Sequence, residues 1–402
     1  MIRGVPRGYG RGVLRVGREQ VLRFRLARQG LGKPAAAGEL VTVAGRCCPQ
    51  NSPPGAAGLA LSARVRDLTG AAVAAELEGG TLVQAFGPRG APHVYPARDA
   101  AVFTRGLLPE GEEELREFLR GAVPALDGLD LPARELVRLS AEAVAEALDG
   151  TELTKDDLGR AAARRITDRL PAGTRAGWRG RSPYAGGQFL GESLVRFALP
   201  VLSLRGLLRH GGTRGRSPLL RGASPAGDGE GARAELVRRY LRALGPSTPE
   251  DLAGWAGVGE AQARRMWETV RDDLAEVRAG DVPAWVLREC LPDLESPPRA
   301  PRVRMLAPHD PYLQVRDRAL LVPDAGLRKR IWRASGNPGV VLVAGEVRAL
   351  WRPKKTGRRL AVTVEPVEPA APLRPADHSA LEAETTRLAH HRSLALAPLT
   401  FL

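Results

Sequence analysis

The chain has 402 residues, 43% of them hydrophobic and 26% charged, which excludes a disordered polymer and is enough for roughly three packed domains. Its 60 Lys and Arg against 45 Asp and Glu leave a net charge of +15, which favours a polyanionic partner. Three Cys, two of them adjacent (Cys47, Cys48 and Cys290), make neither a secreted disulfide framework nor a zinc-finger spacing, and no apolar run is long enough to span a bilayer. A soluble, reduced, cytoplasmic protein with no membrane contact, no metal and no cofactor is expected.

Residues 1–34 carry nine Lys or Arg and one acid, Glu19. Residues 1–16 read as a flexible basic arm. From Gly17, REQVLRFRLARQGL has helical spacing, with Val21, Leu22, Leu26 and Leu31 inward and Arg18, Arg23, Arg25 and Arg28 outward. A helix over 39–47 follows, then the Pro-broken stretch CCPQNSPPGAA, a helix through Leu61 and Val65, and another over 71–77. TLVQAFGPRGAPHVYP predicts a β-hairpin. Helices followed by a hairpin are the order of a winged helix, here 17–108.

Residues 109–160 reverse the sign, with fourteen acids against six basic residues, and read as a solvated or inter-domain face. Thr154-Lys-Asp-Asp157-Leu158 is a capping box after the amphipathic stretch ARELVRLSAEAVAEAL. The next segment, 160–221, holds thirteen Arg against Asp168 and Glu192. It predicts a helix broken at Pro200, then a basic wing with Arg205, Arg209, Arg214 and Arg216 facing phosphate. This makes 109–222 a second winged helix, followed by a linker at 223–231.

The build of a helix–turn–helix is plainest at 235–277. Leu236, Tyr240 and Leu244 share one face; Gly245 and Pro246 stop the helix; Thr248 caps the next, opened by Pro249. After Gly257-Val258-Gly259, a third helix is predicted over 260–277, with Ala263, Met266, Trp267, Val270 and Leu274 inward and Arg264, Arg265 and Arg271 outward. Arg264 and Arg265 are candidate DNA contacts in the manner of a recognition helix; a plain helical bundle with a solvated face is the other reading. VPAWVLRECL supplies a possible third wing, giving a third unit over 232–298. From 299 the texture turns to β: VVLV-AG-EVRALW and RRLAVTVEPV read as strands, with Lys354, Lys355 and Arg358 on a basic hairpin tip, before a helix over 376–392 and an apolar tail.

Taken together, QVLRFRLARQGL, GPRGAPHVYP, RRYLRALGPSTPEDLAGWAG, MLAPHDPYLQVRDRALLV and VVLVAGEVRALWR resemble the winged-helix DNA-binding family that includes the AlkZ- and YcaQ-type DNA glycosylases. The resemblance implies an α+β chain of three tandem winged-helix units and a C-terminal, mostly-β, barrel-like domain around a concavity for double-stranded DNA. It also implies excision of bulky N7-alkylated purines, including interstrand crosslinks. The family's catalytic pair, Gln-apolar-Gln or Gln-apolar-Asp, corresponds here to Gln50-Asn51-Ser52. Gln50 is retained, Asn51 replaces the apolar residue and Ser52 stands where the second Gln or Asp is found.

An N7-alkylated purine is already cationic, so it leaves without a strong acid, and an amide oxygen can orient the water that attacks C1′. Gln50 and Ser52 are therefore the catalytic candidates; the competing reading is that 50–52 only caps the following helix. Arg89, in GPRG, is either a phosphate contact or a turn-stabilising residue. His93 and His309 read as structural, and 310–318 as an ion-pair network joining the β domain to the preceding units. The alternative function is a non-enzymatic winged-helix DNA-binding protein or a transcription regulator, the latter reading bases through Arg264 and Arg265. It would need a dimer on a two-fold operator, and no leucine-zipper repeat is present.

Overall fold

The computed structural model describes residues 13–224, 231–368 and 373–402. Most of the basic arm expected at 1–16, and most of the linker expected at 223–231, lie outside these. The end of the arm is ordered: Leu14–Val16 is a strand that pairs in parallel with Leu274–Ala279, so the N-terminal segment is built into a sheet formed some 260 residues later.

One element order recurs three times. The helix Leu40–Cys47 leads to a bridge between Gln50 and His93, the helices Ala56–Ser62 and Gly70–Glu78, and the hairpin Leu82–Phe86 with Pro92–Pro96. The helix Ala133–Ala147 leads to the short strand Glu152–Thr154, the helices Lys155–Thr167 and Leu190–Leu204, and the hairpin Leu208–Arg214 with Ser217–Gly222. The helix Ala232–Leu244 leads to a bridge between Ser247 and Trp285, the helices Pro249–Ala256 and Glu260–Glu268, and the hairpin Leu274–Ala279 with Val282–Leu287. Thr154 and Thr248 cap as expected, each hydroxyl accepting the N–H of the Asp three residues on.

Several expectations need correction. The third helix ends at Glu268 rather than 277, because Leu274 and Val277 are strand residues buried against the hairpin partner and Leu14–Val16. Pro200 does not break its helix, which runs unbroken over Leu190–Leu204. The lost hydrogen bond is offset by the complete burial of Leu199, Val201, Leu202 and Leu204 around it. The apolar tail also forms two short strands, Ala395–Leu396 and Thr400–Phe401, both parallel to Arg359–Pro366.

The C-terminal part is a six-stranded sheet in which Val303–Leu306, Gly339–Val343, Glu346–Thr356 and Arg359–Pro366 lie side by side, curved as a half-barrel and covered by the helix Pro375–His391. Two short helices, Arg318–Leu321 and Ala325–Ile331, interrupt it and were not evident from the sequence.

Two arginines, one in the helix Arg18–Arg28 and one in the turn after Ala56–Ser62, lock this part to the rest. Arg25, expected to face solvent, is 1% exposed; it donates to both Asp317 carboxylate oxygens (3.0 and 2.7 Å) and to the carbonyls of Gly245 and Pro246. Arg64 is wholly buried with Asp310, bidentate at 2.8 Å, and its remaining donors reach the carbonyls of Ala60 and Gln29 and the Gln29 side chain. The expected ion-pair network therefore exists for Asp310 and Asp317, but their partners are Arg64 and Arg25, not Arg316 and Arg318. Burial opposes the Arg64 charge, yet Asp310 outweighs it, and the guanidinium pKa rises above its ordinary value. Breaking this pair from one side strands a buried charge, so Asp310→Ala should cost ~3–5 kcal/mol of unfolding free energy in a denaturant titration. Arg64→Met combined with Asp310→Leu should cost less than the two single changes summed.

Candidate active site

Gln50 is held rigidly by its backbone neighbours. The Asn51 N–H donates to Pro92 O at 2.7 Å and the Val94 N–H donates to Pro49 O at 3.0 Å, so Gln50 is pinned to the hairpin strand on both sides. Its side chain is held as well: Nε2 donates to Ser52 O at 3.0 Å, and Oε1 accepts from Arg89 Nη2 at 3.1 Å. Capping belongs to Asn51, whose Oδ1 accepts from the N–H groups of Gly55 and Ala57 while its Nδ2 donates to Gln84. Gln50 takes no part in the cap, which leaves its carboxamide for another role.

That carboxamide lines a cavity of about 310 Å3, with Arg89, His309, Arg316, Arg318, Trp332 and Arg333 among its walls. A neighbouring cavity of about 750 Å3 shares Arg89 and Arg316 and adds Arg120, Lys155 and Arg196. Arg89 sits between them at the 82–96 hairpin turn, in a left-handed conformation (φ 59°), and Nη1 donates to the carbonyl of Trp255 in the third repeat. Gly257 permits this approach: its own φ is +76°, and a Cβ there would lie 2.6 Å from Arg89 Cα. Burial, then repulsion from Arg316, lowers the Arg89 pKa to about 10. Burial and then Arg89 push the His93 pKa down to about 3, and the same two causes lower that of His309.

Ser52 stands differently from Gln50. It is not among the residues lining the Gln50 cavity, and its contribution to the site is its backbone carbonyl, which orients the Gln50 amide. Of the two catalytic candidates, Gln50 lines this cavity and Ser52 does not. The DNA-contact candidates fall into three groups. Arg89 belongs to both cavities. Arg216, Lys354, Lys355 and Arg358 are exposed, and Arg352 fastens the base of the 346–366 hairpin to the cavity rim through Gly336 O. Arg214 is paired with Asp157, while Arg205 and Arg209 are half-buried, with pKa values lowered by burial.

Arg264 and Arg265 are exposed and carry surface ion pairs. Arg264 pairs with Glu250 and Glu260, and Arg265 with Glu114 of the acidic helix Gly111–Phe118. A base-reading role for this face, which the regulator reading requires, would have to exchange those pairs for DNA. Sequence reasoning under-weighted Arg316 and Arg318 and missed Trp332. The available signal was the spacing in VRDR, where the arginines two apart face the cavity and Asp317 between them turns to Arg25.

Residues 26–391 match the model of the AlkZ-like DNA glycosylases, and the chain belongs to that family. The interstrand DNA cross-link repair glycosylase of Streptomyces sahachiroi is 28% identical over 217 residues, 50% of this chain and 56% of that relative. The chain thus matches little more than half the length of that relative. The solved structure of the Streptomyces sahachiroi DNA glycosylase AlkZ shares the fold, with a TM-score of 0.73 at 22% identity, covering 97% of this chain and 100% of that one. Among the described residues no helix is long and apolar enough to cross a membrane.

Gly257→Ala tests the closure between hairpin and third repeat. The added methyl must displace the Arg89 backbone and is strained at positive φ, so a loss of about 1–3 kcal/mol in thermal or denaturant unfolding is expected.

Proposed function

We propose that the chain is a monofunctional glycosylase acting on bulky N7-alkylated purines in duplex DNA, and that its three repeats are tandem winged-helix units. The observation that carries this reading is the Gln50 carboxamide, fixed by Arg89 and Ser52 O, opening into a cationic cavity in a chain of the AlkZ-like family.

The chemistry asks little of the protein. The N7-alkylated base carries a positive charge, so as the C1′–N9 bond breaks its electron pair neutralises the leaving purine, and no proton has to be delivered. Water adds to C1′ and its proton passes to solvent, leaving an abasic sugar and the free base. Gln50 Oε1 has one lone pair engaged by Arg89 and a second with which to accept a hydrogen bond from that water. A fixed amide dipole of this kind supports the oxocarbenium-like sugar without needing to reorganise. The Arg89 bond also prevents the amide from rotating its N–H groups toward the water.

Affinity for the duplex would come from exposed cations such as Arg216, Lys354, Lys355 and Arg358, through counterion release. Reversing Lys354 and Lys355 to Glu should weaken binding to all duplex sequences alike and flatten its salt dependence, read by anisotropy across a salt series.

Catalysis is tested with an N7-alkylated duplex under single-turnover conditions, following released base and abasic sites. Gln50→Ala should slow release by roughly ten- to a thousandfold, the range for losing one preorganised polar group, with duplex affinity unchanged within twofold. Ser52→Ala should release base at the wild-type rate. Equal release by Gln50→Ala and wild type would remove Gln50 from the mechanism, and no release by either would leave a DNA-binding protein only.

A further inference from the structure

The cavity beside Gln50 is electrostatically unfinished. Arg89, Arg316, Arg318 and Arg333 converge on about 310 Å3, and no carboxylate lines it. Among the described residues, Arg316 and Arg318 have no ion-pair partner, and the buried Nε of each lacks a hydrogen-bond acceptor. Both are nonetheless held in place. Arg316 lies across the surface of Gly254, where a Cβ would stand 3.1 Å from its Cγ, and the Arg318 guanidinium stacks 4.9 Å above the Trp332 ring. Trp332 is fixed in turn by its Nε1 donating to Leu313 O. Burial lowers the pKa values of Arg89 and Arg316, followed by repulsion from Arg316 at Arg89 and from Arg318 at Arg316, where Asp251 opposes the shift.

A cationic purine and an oxocarbenium-like sugar would both be repelled here, so the cluster is not built for either. Half-buried guanidiniums with unspent donors and planar, fixed orientation are suited to a phosphate's oxygens. Arg89 has five N–H donors and commits one each to Trp255 O and Gln50 Oε1, which leaves others for an anion.

We infer that Arg89, Arg316 and Arg318 form a binding site for one phosphodiester of the DNA backbone adjoining the damaged nucleotide, and that Arg89, shared between this phosphate and Gln50, registers the sugar's C1′ on the Gln50 amide. The inference rests on the glycosylase reading for the identity of the nucleotide but not for the anion site itself. Arg316 and Arg318 are then positioning residues: they act on the reaction through the phosphate they hold.

The test uses the full chain and a duplex carrying a tetrahydrofuran abasic analogue, in which each linkage flanking the analogue is replaced in turn by an uncharged methylphosphonate. For the wild type, one linkage should weaken binding by about tenfold or more, the range of a charge-assisted hydrogen bond, while its neighbours matter much less. In the Arg316→Gln, Arg318→Gln double variant the same replacement should cost less than twofold, because the phosphate has already lost its partners. A penalty of equal size in both proteins, or no linkage that stands out, would overturn the site. So would saturation of the DNA-free wild type by inorganic phosphate at micromolar concentration in calorimetry, which would assign the cluster to a free anion. The duplex has no glycosidic bond at the analogue, so failure of the glycosylase reading would leave this binding result intact. Base release from an N7-alkylated duplex that ignores every methylphosphonate would keep that reading and remove this one.

Discussion

The buried pair of Arg64 and Asp310 is the contact on which the site's geometry depends. Taking two charges out of water is costly, and the cost is met only where every donor and acceptor is used. Here Arg64 spends its donors on Asp310, Ala60 O, Gln29 O and the Gln29 amide, while Asp310 also accepts the Tyr312 N–H. One interaction thereby joins the first helical segment, the first repeat and the stretch just after Leu306. Arg25 and Asp317 make a second joint, adding the turn at Gly245 and Pro246. Between Asp310 and Asp317 the chain has little freedom. His309, Gln314, Arg316 and Arg318 stand at that stretch, and this is what brings them to the same cavity as Gln50, more than 250 residues away in the chain.

A net charge of +15 does not mark a DNA surface by itself. Many arginines are spent within the protein: in helix-surface pairs such as Arg138 with Glu135 and Glu142, in joints such as Arg64, and in Arg265 with Glu114. The cations that distinguish the molecule are those left without carboxylates. Arg316 and Arg318 are unspent at a cavity wall and Lys354 and Lys355 are exposed on a hairpin, so under the proposed reading the first pair would define one position on a strand and the second would add affinity indifferent to sequence.

Position 50 carries an amide rather than a carboxylate, and its surroundings suit an amide. A carboxylate at position 50 would be drawn into an ion pair with Arg89 and would hold a water less selectively. A carboxamide keeps its dipole, with Ser52 O fixing the amide nitrogen and Arg89 the oxygen. In the proposed reaction the negative charge near the sugar would come from the DNA itself, through the phosphate inferred to bind among the guanidiniums.

Local order was legible in the sequence wherever it depends on neighbours a few residues away. The capping hydroxyls of Thr154 and Thr248, the 82–96 hairpin, the strands from Gly339 onward and the retained Gln50 all follow from spacing, turn chemistry or family pattern. Local pattern failed where a distant partner decided the outcome. Leu274 and Val277 fit a helical period as well as a strand, and pairing with Leu14–Val16 and the 282–287 strand selected the strand. Arg25 lay on the polar face of its helix by every periodic rule, yet Asp317 drew it into the interior. Ser52 stood beside Gln50 in sequence but outside its cavity, while Arg316 and Arg318 stood far away and line it. Periodicity reports which side of an element meets a core, because that is set by backbone geometry. It carries no record of which charge from elsewhere in the chain will arrive there, since that is settled only when the segments pack and each buried ion must find its counterpart.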